Sequence, residues 1–195
     1  EATGELIIEG KSFKDLDIFT LSKITGTVLQ DSDGQFIGLT VGEDIAFAME
    51  NDNISLSEMK ERVLNAAKKV GIDAFLDHAP HELSGGQKQR VSLAGVMVDN
   101  VEIFLFDEPL ANLDPASGKK TIELIDQIHK DTGATIIIVE HRIEDVLHRS
   151  VDRVVLMGEG SIILDTTPDK LLSSDSLISN GIREPLYVTA LKYAG

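Results

Sequence analysis

The most informative segment of this sequence is Val101-Glu102-Ile103-Phe104-Leu105-Phe106-Asp107-Glu108-Pro109. Its apolar run, Ile103 to Phe106, is rich in aromatic and branched residues and is typical of a strand buried on both faces in a parallel sheet. Asp107 and Glu108 follow directly, at the strand end where α/β proteins bind ligands. A core strand that merely ends where the chain meets water, with Pro109 as its turn, has the same pattern. The segment predicts a buried parallel strand, and other segments are needed to interpret its two carboxylates.

Length and composition restrict the class of protein. The 195 residues, of which 42% are hydrophobic, suit one domain with a substantial core, or one domain with a small subdomain. No apolar run approaches the roughly 20 residues of a membrane-spanning helix, so membrane association requires a partner. Acids outnumber bases by 33 to 18, and this net charge of −15 disfavours nucleic acid as a partner. The absence of cysteine excludes disulfides and thiolate metal sites.

The remaining segments alternate between strand and helix patterns. Thr27 to Gln30 predicts another buried strand, and Val41 to Met49 is mildly helical. Ser55 and Glu58 have capping-box spacing and predict a helix that ends at Gly71. Further predicted elements are a strand at 6–11, helices at 86–98 and 117–130, a fully buried strand at 134–139, a hairpin at 154–164 and a short helix at 168–172. This alternation is typical of an α/β protein.

A phosphate-binding loop is not among these segments. Gly10-Lys11-Ser12 resembles the end of such a loop, but the loop requires a glycine five positions before Gly10, where Glu5 stands. No helical periodicity follows Ser12, although the loop works only at a helix start. We therefore reject this match, and no other segment supplies one.

A second motif, Leu83-Ser84-Gly85-Gly86-Gln87, joins a loop to a predicted helix. Ser84 can cap that helix, while Gly85 and Gly86 let a phosphate approach its exposed N–H groups and its positive dipole end. An ordinary helix cap explains Ser-Gly-Gly by itself. Its place shortly before a strand that ends in Asp-Glu-Pro favours phosphate binding instead.

Together these motifs resemble those of ATP-binding cassette (ABC) ATPases, in the order that this family shows. Gln30 resembles the Q-loop glutamine, residues 83–87 the signature motif, and residues 103–108 the Walker B strand. Residues 111–114, Ala-Asn-Leu-Asp, resemble the D-loop, and His141 resembles the switch histidine.

The resemblance implies ATP and Mg²⁺ as cofactors. Asp107 would hold Mg²⁺, usually through water, and Glu108 would act as the general base on the attacking water. His141 would donate a hydrogen bond to the γ-phosphate, and the Gln30 side chain would contact Mg²⁺ or that water. In this family a second ABC ATPase domain pairs head to tail with the first. Five residues would then serve the ATP of that partner: Ser84, Gly85, Gly86, Gln87 and Asp114.

The fold that the resemblance implies is a P-loop NTPase-like α/β core of an ABC ATPase with a helical subdomain. The core would comprise residues 1–30 and 99–166, and the Q-loop and helical subdomain residues 31–98. Residues 167–195 would form a C-terminal tail or linker. The departure from the family is the missing Walker A region, with its strands and P-loop. The chain opens with Glu1 rather than methionine, which suggests a processed or cloned fragment. We expect the 195 residues alone to be inactive.

A narrower resemblance concerns residues 30–36, 110–115 and 181–187, which are similar to energy-coupling factor and cobalt-type importer ATPases. It implies uptake of a vitamin or metal ion, integral membrane transporter subunits as partners, and a peripheral position on the cytoplasmic face of the cell membrane.

Two other classes compete with this interpretation. One is a natural cassette without a P-loop that acts as a non-catalytic partner or regulator. Intact Glu108 and His141 argue against it, because a permanently silent site has no chemical need for them. The other is a soluble cassette of DNA repair or translation. The acidic composition and the absence of a coiled-coil insertion disfavour that class.

Overall fold

Two compact units make up the structure, a computed structural model that describes residues 4–30, 33–50, 54–99, 101–111 and 113–194. Unit 1 comprises residues 1–107 and 132–138, and unit 2 comprises residues 108–131 and 139–195. Within the described ranges, every helix is too short or too polar to cross a bilayer.

Unit 1 contains a sheet and a group of helices. In chain order its elements are β1 (Ile7–Ile8), β2 (Lys11–Ser12), α1 (Ile18–Ile24), β3 (Thr25–Val28), α2 (Val41–Ala46), α3 (Leu56–Val70), α4 (Gly85–Met97), β4 (Ile103–Asp107) and β5 (Thr135–Val139), whose last residue belongs to unit 2. β1 and β2 form an antiparallel hairpin with Gly10 at φ 76° in its turn. Lys11 and Ser12 are thus strand residues of a hairpin, followed by a single 3-10 turn at Phe13–Asp15, and this agrees with the rejection of Gly10-Lys11-Ser12 as a phosphate loop.

β4 is the central strand of a three-stranded sheet in the order β3-β4-β5. It runs parallel to β3, with Val28 opposite Phe106. Phe104 and Phe106 are buried, and their ring centroids lie 6.3 Å apart. Ile103 and Leu105, which alternate with them, are partly exposed. The predicted parallel strand is confirmed. The prediction that both faces are buried is wrong within the described residues, because an apolar run does not specify what covers its second face.

β5 corrects the prediction of a fully buried strand at 134–139. The strand exists, but Ile137 is 49% exposed and Val139 is 58% exposed. β5 lies at the edge of the sheet, where it has a neighbouring strand on one side only. The described residues therefore leave about half of each of these two side chains open to water.

The sequence predicted α2, α3 and α4 but not α1, whose seven residues Ile18–Ile24 follow the Asp17 cap. The Ser55 side chain accepts the Glu58 N–H at the start of α3, and Gly71 ends that helix at φ 69°. This confirms the predicted Ser55 cap and the predicted stop, while the Glu58 carboxylate accepts from Arg62 at 2.6 Å. α3 packs against α4, and Val63, Val70 and Val91 are buried. Val41–Met49 forms α2 followed by a short 3-10 turn, as its helical pattern predicted.

Unit 2 consists of helices and one hairpin. Its elements are α5 (Pro115–Thr132), α6 (Ile143–Val146), β6 (Val154–Gly158), β7 (Ser161–Thr166), α7 (Pro168–Leu172), α8 (Ser176–Ser179) and α9 (Leu186–Ala194). β6 and β7 pair antiparallel around a turn at Glu159 and Gly160, both at positive φ, so the predicted hairpin is confirmed. Leu156, Leu171 and Leu177 form a small buried core.

Candidate functional site

Glu108 has a strained backbone. Its φ is 47°, in the left-handed region that residues with a side chain seldom adopt. Its N–H donates to the Val139 carbonyl at 2.9 Å, and its carbonyl accepts the Ala111 N–H at 3.0 Å. Strain of this kind costs roughly 1–3 kcal/mol and persists only where the surroundings fix it, typically at functional sites. Glu108 is therefore held in place by the chain around it.

His141 lies beside Glu108 in unit 2. The Nδ1 atom of His141 is 3.9 Å from Glu108 Oε1 and 3.4 Å from Glu140 Oε1. The Glu108 side chain is 35% exposed and that of His141 is 69% exposed, so water reaches both. The structure thus brings together two residues that the sequence predicted to be catalytic. A carboxylate and an imidazole at this spacing can polarise and orient a water molecule.

Glu140 and Arg142, on either side of His141, were missed by the sequence reasoning. The Glu140 carboxylate accepts the backbone N–H groups of Leu110, His141 and Arg142 at 3.2, 2.9 and 3.1 Å. Arg142 Nη1 donates to the carbonyls of Leu110 and Leu113 at 2.9 and 3.1 Å. The only signal in the sequence was an acid and a base next to the predicted switch histidine. Their partners, 29 to 32 residues away along the chain, could not be read from it.

Asp114 caps α5. One carboxylate oxygen accepts the N–H groups of Ala116 and Ser117 at 2.9 and 3.0 Å, and the other accepts the Ser117 hydroxyl. The Ser117 side chain and backbone hydrogen bonds lower the pKa of Asp114 from its ordinary value. Asp114 remains exposed. Its immediate role is local, and Asn112 of the same motif lies outside the described residues.

Gln30 and Asp107 lie at one edge of the sheet in unit 1. Asp107 is the last residue of β4 and Gln30 follows the end of β3, and both are exposed. Because Val28 pairs with Phe106 in parallel register, the carboxyl ends of the two strands are adjacent. Residues 31 and 32 of the predicted Q-loop lie outside the described residues.

The N-terminus of α4 has the geometry that the Ser-Gly-Gly motif predicted. Ser84 Oγ accepts the Gln87 N–H, and Gln87 Oε1 accepts the Ser84 N–H at 2.7 Å, which completes a capping box. The Gln87 side chain is thereby used within the motif. A Cβ atom built on Gly85 would meet nothing within 4 Å, so the approach to this helix end is open. Glycines at the first two positions of a helix can let an anion approach its N-terminal end, and the third N–H, that of Gln87, is already bonded to Ser84 Oγ.

The acidic side chains of the candidate site bear on whether it can hold Mg²⁺. The described part of the chain contains no cluster of three or more histidine, cysteine or acidic side chains suited to a metal ion. Mg²⁺ is usually held by one or two carboxylates together with waters and substrate phosphates, and an exposed Asp107 fits that requirement. Asp107 therefore suits Mg²⁺ that is delivered with a nucleotide.

Comparison with known families matches two parts of the chain. A family model described as "ABC transporter" matches residues 1–111, and one described as "ATP-binding cassette cobalt transporter" matches residues 174–195. Putative ABC transporter ATP-binding proteins of Photobacterium profundum and Clostridium perfringens are 59% and 60% identical over the whole chain. The chain spans 35% and 34% of those proteins, about a third of the length of these curated relatives.

Solved structures give the same result. The cbiO1 protein of Clostridium perfringens, described as part of the ABC transporter complex cbiONQ, superposes with a TM-score of 0.82 at 33% identity over 98% of this chain and 77% of that chain. The bacterial ABC transporter cassette MJ0796, solved as a dimer, gives 0.73 at 28% identity over 85% of this chain and 73% of that chain. These matches confirm the predicted fold, the mixed α/β fold of an ABC ATPase. The chain belongs to the ABC transporter family, as an ATP-binding domain.

Proposed function

We propose that this chain is part of the ATP-hydrolysing subunit of a membrane importer of the energy-coupling factor type. The observation that carries the proposal is the pairing of Glu108 with His141 at 3.9 Å, with both side chains open to water. A strained Glu108 backbone, fixed by hydrogen bonds, supports the same assignment.

The proposed reaction is in-line attack of water on the γ-phosphate of ATP, in which the new P–O bond forms as the bond to the β–γ bridging oxygen breaks, giving ADP and inorganic phosphate. Glu108 accepts the proton of the attacking water, and His141 orients that water and the phosphate. Gln30 and Asp107 would supply oxygen ligands to Mg²⁺ bound with the nucleotide. Mg²⁺, when bound with ATP, neutralises charge that develops on the phosphates. Such a reaction needs positioning and charge stabilisation rather than covalent catalysis.

We further propose that Ser84, Gly85, Gly86, Gln87 and Asp114 serve ATP bound mainly by a second cassette. The open space beside Gly85 at the start of α4 supports this role, because helix N-termini bind phosphates. The relative MJ0796 was solved as a dimer, and in another structure it is bound to ADP and inorganic phosphate.

The importer class rests on two findings. The model matched at residues 174–195 is that of a cobalt transporter cassette, and the relative cbiO1 is part of a transporter complex. We propose that the partners are integral membrane subunits and a second ABC ATPase domain. The chain would lie peripherally on the cytoplasmic face of the membrane, and the imported substrate would be a vitamin or a metal ion.

The 195 residues by themselves contain no Walker A loop. We therefore propose that the isolated chain neither binds ATP tightly nor hydrolyses it, since the cradle for the β- and γ-phosphates is missing from this sequence. Isothermal calorimetry on the chain should show no micromolar binding of ATP. A micromolar dissociation constant would contradict this proposal.

The test of catalysis uses the natural gene product that carries these residues, purified with its membrane partners. Replacing Glu108 by Gln should lower kcat for ATP hydrolysis by about 10²- to 10⁴-fold, the usual contribution of a general base, while ATP still binds. Glu159→Gln is the matched control, because Glu159 is exposed in the β6–β7 turn and the substitution removes the same charge.

Equal activity of the Glu108→Gln and Glu159→Gln proteins would refute the catalytic assignment. An inactive wild-type protein that nevertheless stimulates hydrolysis by a separate cassette would support the other candidate, a non-catalytic partner. Copurification with ribosomes or DNA, and without membrane subunits, would refute the importer class.

A further inference from the structure

Leu110 is held by side chains from both sides of His141. Its N–H donates to Glu140 Oε2 at 3.2 Å, and its carbonyl accepts a hydrogen bond from Arg142 Nη1 at 2.9 Å. Leu110 itself is fully buried and lies two residues after Glu108. The turn that follows Glu108 is thus tied to the segment that carries His141.

Glu140 is built into this position. Its side chain is only 3% exposed, and it accepts three backbone N–H groups, including those of His141 and Arg142. Hydrogen bonds to a charged acceptor are roughly twice as strong as those between neutral groups. Removing the charge weakens all of these bonds together and leaves a buried Leu110 N–H poorly paired.

Arg142 is fixed as firmly. Its Nε and Nη2 atoms bond to Asp145 at 2.9 and 2.7 Å, which leaves Nη1 for the Leu110 and Leu113 carbonyls. A Cβ atom on Gly118 would lie 3.1 Å from Arg142 Nη2, so glycine at this position leaves the space that the guanidinium occupies. Lysine could not make this set of contacts, because it lacks the planar fork of five donors.

We propose that Glu140 and Arg142 are positioning residues that set the Glu108 carboxylate relative to the His141 imidazole. The proposal rests on the proposed function, ATP hydrolysis at Glu108 and His141. Glu108 and His141 belong to segments more than 30 positions apart in the sequence. The hydrogen bonds of Leu110 to Glu140 and Arg142 fix one segment against the other. A displacement of about 1 Å between reacting groups can lower a rate by roughly 10²-fold.

The test compares Glu140→Gln with Glu144→Gln in the natural gene product with its membrane partners. Glu144 is the matched control, because its carboxylate also accepts a distant backbone N–H in unit 2, that of Leu186 at 3.3 Å. For Glu140→Gln we expect kcat to fall roughly 10- to 100-fold, with the KM for ATP changed less than about twofold. Glu144→Gln should leave both parameters near wild-type.

A second readout does not depend on ATP. Amide hydrogen exchange at Leu110 should become roughly tenfold faster or more in Glu140→Gln, since its acceptor loses its charge. Amides of the β6–β7 hairpin in the same unit should keep their wild-type rates. Exchange that rises equally throughout unit 2 would show a merely structural role and refute the inference.

The outcomes separate the two proposals. An active wild-type protein with unchanged kcat in Glu140→Gln refutes the positioning role and leaves the proposed function intact. A wild-type protein without ATPase activity refutes the proposed function, and with it the catalytic part of this inference.

Discussion

Replacing Gly38 by Ala is a sharp test of how the loop after Gln30 is attached to the helices of unit 1. A Cβ atom on Gly38 would lie 2.3 Å from the Asp44 nitrogen, 2.8 Å from Asp44 Cα and 2.9 Å from the Glu43 carbonyl carbon. All of these atoms belong to the backbone of α2, which cannot move aside as a side-chain tip can. Ordinary contact distances require α2 and the loop to separate by about 1 Å.

The magnitude follows from competing effects. Overpacking of this kind costs typically about 1–3 kcal/mol. The separation also stretches the bonds from the Ile37 and Gly38 N–H groups to Asp44 Oδ1, now 2.8 and 3.1 Å, and losing one costs about 1 kcal/mol more. Alanine also lowers the conformational entropy of the unfolded chain, which stabilises the folded state by only about 0.4–1 kcal/mol. We expect a net loss of roughly 1–3 kcal/mol in the free energy of unfolding.

The assay is urea unfolding of the chain followed by far-ultraviolet circular dichroism, with the m-value checked for constancy. Gly95→Ala is the matched control. Gly95 lies inside α4, a Cβ atom there would meet nothing within 4 Å, and alanine favours the helix by up to about 1 kcal/mol. The two substitutions should therefore change stability in opposite directions. A Gly38→Ala chain as stable as the Gly95→Ala chain would refute the reasoning.

Two further predictions concern the core and the cap of α5. Phe106→Ala should lower the free energy of unfolding by roughly 3–5 kcal/mol, because Phe106 is 1% exposed, whereas Phe106→Leu should cost much less in the same urea assay. Asp114 has a folded-state pKa below its ordinary value, so its contribution is present above that ordinary value and is lost as pH falls through the folded-state pKa. The difference in melting temperature between wild-type and Asp114→Asn should therefore shrink as the pH falls below about 4, and a constant difference would contradict the capping role.

Local signals in the sequence predicted local structure well. Ser55 and Ser84 begin helices because their hydroxyls accept first-turn N–H groups, and this preference depends only on the next three residues. Gly71 ends α3 at positive φ for an equally local reason. The order of the motifs also sufficed to predict the family, since each motif is a short run of adjacent residues.

Contacts between distant segments could not be predicted in the same way. An apolar run such as Ile136 to Val139 predicts a strand, but its burial depends on which elements lie over it. The long-range bond of Glu140 has no local pattern, because its partner is a backbone N–H that any residue except proline would offer at position 110. For the same reason, the position of α9 beside Glu184, where Lys192 Nζ lies 2.7 Å from Glu184 Oε1, could not be read from the tail.

Glu108 shows how a local irregularity and a distant contact combine at the candidate site. Adjacent side chains on a regular strand point to opposite faces of the sheet. If β4 simply continued past Asp107, the side chain of Glu108 would therefore point to the face opposite that of Asp107. β4 ends at Asp107 instead, and the left-handed φ of Glu108 breaks the alternation. Two backbone hydrogen bonds, from the Glu108 N–H to the Val139 carbonyl and from the Ala111 N–H to the Glu108 carbonyl, offset the cost of that conformation. The result is a Glu108 carboxylate that lies near His141. The motif specifies two adjacent acids. The left-handed backbone of Glu108 allows the second of them to depart from the alternating side-chain directions of the strand.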